Sequence, residues 1–265
     1  MVDVLVVGGS GLLGRALVRR AARSGARVAA TYHRHAPSRD GRPLDIRRRD
    51  DVVATLRRIR PAAVVNAAFD QGDWATTADG AAHVAIAAVD VGARLVHVSS
   101  DAVFSGRSGR YTERDRPCPG TPYGAAKAAA ETAVAAIDPD AAVARTSLII
   151  GGGESAHETF AHALVAGTAS GVLFTDDVRC PVHVDDLADA LLELAGSAHP
   201  GTYHVAGPEA VSRHELGTLI TGRALPAGLR VDSGLPGARD VRLDCAWTRA
   251  RLGTRPRGVR EFLSR

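Results

Sequence analysis

The chain has 265 residues, 45% of them apolar and 23% charged, with a net charge of +4 and a pI of about 9.3, an ordinary composition for a soluble globular protein. Its cations are scattered among acids outside short clusters such as Arg47-Arg48-Arg49, with no basic tail and no interleaved aromatics, which sets nucleic-acid binding aside. Three widely spaced cysteines, Cys118, Cys180 and Cys245, form no CxxC pair, no apolar run reaches the ~18 residues of a membrane span, and no basic leader precedes the first strand-like run; the expectation is a cytoplasmic protein with reduced thiols, no signal peptide and no membrane partner.

Strands and helices alternate through the first half. Val2 to Val7 is a short apolar run ending in glycines, as a buried parallel strand does. A helix is expected over Leu12 to Arg23, a strand over Arg27 to Thr31, a short third strand at Leu44-Asp45-Ile46, and a helix from Arg49 to Ile59 ended by Pro61. Ala63 to Asn66 reads as a strand, Ala78 to Val91 as a helix and Arg94 to Ser99 as a strand. Tyr123 to Ile137 is a helix stopped before Asp138-Pro139, and Ala141 to Thr146 another strand. The pattern predicts an α/β protein with a Rossmann-type, doubly wound parallel sheet.

After Gly151-Gly152-Gly153 the pattern loosens. Helices are expected over His157 to Ala166, over Val184 to Ala195 with Asp185 as N-cap, and over Ser212 to Ile220 with Ser212 and Glu215 as a capping box. Val172 to Phe174 and Thr202 to Val205 read as strands, and the arginine-rich tail from Leu243 ends in a short helix. The division expected is a dinucleotide-binding domain over 1–150 and a smaller mixed substrate lobe over 151–265, partly interleaved with the first.

Gly8-Gly9-Ser10-Gly11-Leu12-Leu13-Gly14 joins the first strand to the first helix. Its glycines permit a tight turn and close approach of backbone to a pyrophosphate, and the helix N-terminus faces that charge. Enzymes that grip the ribose hydroxyls of NAD carry an acid at the end of the second strand. Here the chain reads Thr31-Tyr32-His33-Arg34-His35. An arginine suits a 2′-phosphate, so NADP(H) is expected ahead of NAD(H). The candidate cofactor contacts are Gly8, Ser10, Gly11, Leu12, Leu13 and Gly14 of the turn, His33 and Arg34, Asp45 and Ile46, Ala67 and Ala68 at the fourth strand's end, and Tyr123 with Lys127.

Lys127 is the only lysine among 33 lysines and arginines. It follows Tyr123 by four residues, so phenol and ammonium share one helical face, where an ammonium can stabilise a phenolate and make tyrosine a better acid.

Taken together these residues resemble the extended short-chain dehydrogenase/reductase superfamily. Gly8, Gly11 and Gly14 match its glycine motif, Asn66-Ala67-Ala68 its strand-end motif, and Tyr123-x-x-x-Lys127 its catalytic pair. Within it the chain is most similar to dTDP-4-dehydrorhamnose reductases. Ser99-Ser100-Asp101-Ala102-Val103-Phe104-Ser105-Gly106 is similar to their Ser-Thr-Asp-Tyr-Val-Phe-x-Gly segment. Tyr111, Glu113, Asp115, Pro117, Pro119, Gly124 and Glu131 follow at their spacing, and Arg145-Thr146-Ser147 and Pro181 to Ala188 extend the likeness. The resemblance implies hydride transfer from a nicotinamide to a ketone. Tyr123 would donate the proton, Lys127 would lower the tyrosine pKa and bind the nicotinamide ribose, and Ser100 would hold the carbonyl oxygen.

Three positions depart from that pattern. Ala102 stands where a tyrosine is common, Leu148 where a tryptophan is, and Thr77 where an asparagine is more usual; the loop Phe69 to Thr76 is short. The substrate expected is a small-molecule ketone, best matched by a 4-keto-6-deoxy sugar nucleotide. The alternatives are another ketone of specialised metabolism, epimerase or dehydratase chemistry on sugar nucleotides, and a non-catalytic NADP-binding regulatory subunit. A homodimer is among the assemblies allowed.

Other features read as structural. His157-Glu158 with His162 misses the HExxH spacing of a zinc site. No GxSxG elbow surrounds Ser100. Asp101 is read as orienting the catalytic loop or capping a turn, and Trp74 and Trp247 as packing residues.

Overall fold

The computed structural model describes residues 2–34, 41–106 and 109–264. The first half runs β1 (Val4–Val7), α1 (Leu12–Arg23), β2 (Val28–Tyr32), β3 (Arg42–Pro43), α2 (Arg49–Ile59), β4 (Ala63–Asn66), α3 (Gly80–Val91), β5 (Arg94–Ser100), β6 (Gly109–Tyr111), α4 (Pro122–Ile137) and β7 (Ala142–Thr146). Shorter pieces follow: β8 (Ile149–Ile150), α5 (Ala156–Ala166), β9 (Leu173–Phe174), β10 (Val178–Arg179), β11 (Val182–His183), α6 (Val184–Ala195), β12 (Gly201–Val205), β13 (Val211–Ser212), α7 (Arg213–Thr221), β14 (Ala227–Gly228), β15 (Val241–Leu243), α8 (Ala246–Arg249) and α9 (Val259–Leu263).

Seven strands form one parallel sheet in the order β12-β7-β5-β4-β1-β2-β3. The alternation of side chains along each strand decides which helix layer they meet. Val6, Val65, Val96 and Ala144 pack with Leu13 and Leu17 of α1 and Leu187, Leu191 and Leu194 of α6. Leu5, Val7, Val64 and Leu95 pack on the opposite face with Leu56 of α2, Val84 and Ala88 of α3, and Ala130 and Val134 of α4. The doubly wound Rossmann-type sheet expected from the sequence is therefore the fold. Its strand order reverses between β1 and β4, which opens a crevice at their carboxyl ends.

The second half joins this sheet in two places. β12 pairs with β7 at the edge, and α6 covers the same sheet face as α1. The remaining short strands form four two-stranded pairings, and a separate core gathers Leu148, Ile150, Val211, Leu216 and Ile220.

Three local expectations are corrected. The third strand is Arg42–Pro43, paired to Thr31 and Tyr32. Leu44 and Ile46 lie beyond it, buried in the helical-face core; their apolar alternation signals burial, not a ladder. The N-cap of α6 is His183, whose ring nitrogen accepts the Asp185 N–H at 3.2 Å. Asp185 instead lies in the first turn and pairs with Arg19 at 2.5 Å, while Asp186 holds Arg257 at 2.8 Å. Ser212 does cap α7, but Glu215 turns away to Arg260. A full capping box forms at Ser155 and Glu158 of α5.

Glu131 on α4 is buried against the sheet. Its carboxylate accepts from Arg145 Nε and Nη2 of β7 at 3.0 and 2.8 Å and from Ser99 Oγ of β5 at 2.5 Å. Removing the charge of one partner leaves the other uncompensated. Glu131→Gln is expected to lower the unfolding free energy by about 3–5 kcal/mol, read from urea denaturation; a loss below about 1 kcal/mol would mean the pair behaves as an exposed one.

Candidate active site

β5 ends at Ser100, whose hydroxyl accepts the Ala102 N–H at 3.2 Å and so caps the single 3₁₀ turn Asp101–Val103. Beyond it, Thr121 caps α4 by accepting the Gly124 N–H at 3.0 Å, and Pro122 presets the first helical turn. A Cβ on Gly124 would run into the Ala102 carbonyl. This glycine therefore lets the start of α4 close onto the 3₁₀ turn, which brings Tyr123 beside Ser100. Lys127 follows one turn later, 3% exposed, its Nζ donating to the Val98 carbonyl at 2.9 Å and standing 5.3 Å from the Phe69 ring centre.

Burial acts in opposite directions on these two groups. It pushes the Tyr123 phenol well above its ordinary value; the adjacent Ser100 hydroxyl pulls it partly back and Asp101 adds to the rise. It lowers the Lys127 ammonium to about 8, against the pull of Glu131. Tyr123 thus holds its proton across the physiological range, while Lys127 titrates near its upper end.

Asp101 is buried and bridges the two halves of the wall. One oxygen accepts from Ser147 at 2.7 Å, the other lies 3.4 Å from Ser100 Oγ, and Arg179 of β10 is at 3.6 Å. Burial raises its carboxyl and Arg179 opposes the rise. Of the two readings offered by the sequence, the turn is capped by Ser100, while the Asp101 carboxylate lies between Ser100 and Ser147.

Ser100, Tyr123 and Lys127 line a cleft of about 640 Å³ together with Leu12, Leu13 and Gly14. Ala102 and Leu148, two of the departures, line it too. The third, Thr77, is buried and bonds the Asp70 carbonyl at 2.6 Å. A second cleft of about 240 Å³ takes in Gly8, Ser10, His33, Arg34, Asp45, Ile46 and Ala68. Gly11, Ala67 and Phe69 belong to both clefts, so they form one trough over the strand ends. The cofactor candidates are thus all brought to that trough.

The glycine turn makes its floor. A Cβ at Gly14 would run into the Gly8 carbonyl, and one at Gly8, which has φ of +88°, into the Ala68 backbone. The bare, tight turn fits a pyrophosphate that must approach the backbone closely. At the outer end Arg34 pairs with Asp70 at 3.0 Å. Asp45 is held by Arg47 at 2.7 Å, which brings its carboxyl down to about 2.

Sequence reading missed Phe69, Asp70 and a cluster that lines the far end of the larger cleft. There Asp177 faces Arg179 at 2.7 Å, Arg230 at 2.9 Å and Arg213 at 3.6 Å, and Arg213 also reaches His157 at 2.9 Å. These side chains come from separate elements, so no local spacing announces them. The histidine is kept neutral, lowered to about 4 by burial and the adjacent Arg213. Glu158 serves the Gly151, Gly153 and Ser155 N–H groups. Trp74 is 51% exposed, contrary to the packing role expected, while Trp247 packs on Tyr203 at 5.1 Å.

Comparison with known proteins bears on the family and the fold. The chain is 33% identical to the probable low-salt glycan biosynthesis reductase Agl14 of Haloferax volcanii, over 94% of this chain and 91% of that protein. It is 34% identical to a dTDP-4-dehydrorhamnose reductase of Streptomyces griseus, over 89% and 81%. A crystal structure of dTDP-4-dehydrorhamnose reductase from Bacillus anthracis, in complex with NADP, shares the fold with a TM-score of 0.89 at 23% identity, over 100% and 98% of the two chains. Residues 2–233 match the model of the RmlD substrate binding domain. The likeness read from Ser99 to Gly106 and from the Tyr123 and Lys127 pair is thereby borne out: the chain belongs to the RmlD substrate-binding domain family.

Proposed function

We propose that the protein is an NADP(H)-dependent carbonyl reductase acting on the ketone of a 4-keto-6-deoxy sugar nucleotide. The observation that carries this reading is the convergence of Ser100, Tyr123 and Lys127 on one wall of a cleft continuous with the Gly8–Gly14 turn. The names of the relatives support it.

The nicotinamide dinucleotide would be held by the Gly8–Gly14 turn, by His33 and Arg34, by Ala67 and Ala68, and by Lys127. When bound, it supplies the hydride that reduces the carbonyl carbon. Tyr123 Oη carries the proton that the developing alkoxide takes up. Ser100 Oγ, fixed by the Ala102 N–H, holds the carbonyl oxygen beside that phenol. Lys127, anchored on Val98 O, places its positive charge under the trough and favours proton release from Tyr123. Ala102 and Leu148 leave the substrate end with less aromatic surface, so the sugar is gripped by hydrogen bonds and shape more than by stacking.

Tyr123→Phe is expected to cut kcat for reduction of dTDP-4-keto-6-deoxyglucose, assayed with its partner epimerase, by roughly 10²–10⁴-fold while leaving dinucleotide affinity nearly unchanged; turnover retained in that variant would overturn the assignment of the acid. The pH dependence has a definite sign. Lys127 is charged below about 8 and neutral above, so kcat/KM should be level on the acid side of that value and fall on the basic side. A profile that stays flat through that region would remove Lys127 from the chemistry.

A further inference from the structure

Resting on the cofactor reading above, we infer that Asp70 supplies the carboxylate for the adenosine ribose, and that Asp70 and Arg34 together set the choice between NADH and NADPH. The end of β2 lacks the acid that would grip a ribose diol. Asp70 comes instead from the loop after β4, two residues beyond Ala68, and lines the same cleft as Thr31, His33 and Arg34.

The pair is asymmetric. Asp70 is fixed: its N–H donates to Thr77 Oγ1 at 3.1 Å, its carbonyl accepts from the same hydroxyl at 2.6 Å, and its Oδ1 accepts the Gly72 N–H at 3.0 Å. Its Oδ2 meets Arg34 Nη2 at 3.0 Å. Arg34 is a long side chain, 68% exposed against 33% for Asp70. The carboxylate has a backbone tether at Gly72 that the longer, more exposed arginine lacks. Of the neighbouring charges, Asp45 is taken by Arg47, with His33 at 3.6 Å, and Arg47 also faces Asp73 at 3.6 Å. Arg47 is thus neutralised by two acids, and Arg34 is the arginine among the described residues lining this cleft.

Two bound states follow. Ribose hydroxyls donate to Asp70, with Arg34 left on the same carboxylate. A 2′-phosphate cannot share that place with a fixed carboxylate; it must draw Arg34 off Asp70 and tolerate the remaining negative charge. Asp70 therefore helps NADH and penalises NADPH, while Arg34 does the reverse. Both dinucleotides bind, and the preference is narrow.

The experiment is calorimetric titration of the full chain and its variants with NADH and with NADPH, which needs no turnover. Asp70→Asn keeps the oxygen that Gly72 uses and removes the charge. It should weaken NADH roughly tenfold or more, the weight of hydrogen bonds to a charged group, and tighten NADPH. Arg34→Ala, at an exposed position that folding tolerates, should weaken NADPH by a similar factor and leave NADH within about twofold. Equal shifts for the two dinucleotides in either variant, or none, would overturn the inference while leaving the cofactor reading intact. A parent protein that binds neither dinucleotide would overturn both.

Discussion

Glu131 meets Arg145 where neither charge reaches water, and the seating of α4 against the sheet follows from that contact. A buried pair of this kind adds little net stability over apolar packing, but it strongly disfavours any register that separates the charges. Glu131, Lys127 and Tyr123 stand at intervals of four residues on one helix face. Fixing the first therefore fixes the other two: Lys127 under the strand end at Val98, and Tyr123 at the mouth beside Ser100. Ser99 binds the same carboxylate, so the helix is also tied to the strand that ends in Ser100.

The wall built this way separates two electrostatic tasks by depth. Tyr123 is near the surface of the cleft, and burial keeps its phenol protonated. Lys127 lies deeper, and the same desolvation brings its ammonium down to about 8. Each is displaced from its ordinary value toward the neutral form, as burial requires. The polar partners of Lys127 are a backbone carbonyl below and a phenyl face at the side. That leaves its charge directed along the trough instead of cancelled by a neighbouring carboxylate in hydrogen-bonding contact.

The two ends of the trough differ in how their charges are managed. At the end beside β2, acids and arginines stand in partly exposed pairs. At the opposite end, the buried Asp177 gathers three arginines that are themselves only partly exposed. Exposed pairs are weak and replaceable, whereas a buried cluster is held in one geometry.

The parallel sheet, the bare Gly8–Gly14 turn and the Tyr123 and Lys127 pair were legible in the amino-acid order alone. Each of these is a short-range pattern: apolar runs broken by glycine, glycines at fixed offsets, two side chains one helical turn apart. Even the ends of β4 and α6 were legible in this way. The third strand was misplaced because buried alternation at Leu44 and Ile46 looks the same whether or not a ladder forms. The cap of α6 was misassigned because a histidine before the helix carries a weaker local signal than an aspartate inside it. That Asp70 stands opposite Arg34, that Trp74 lies open, and that Asp177, Arg179, Arg213 and Arg230 meet was set by the folded arrangement. Apart from Asp177 with Arg179, those contacts join residues far apart along the chain. They depend on how the end of β2, the loop after β4 and the small strands of the second half are carried by the sheet, and no local periodicity encodes that.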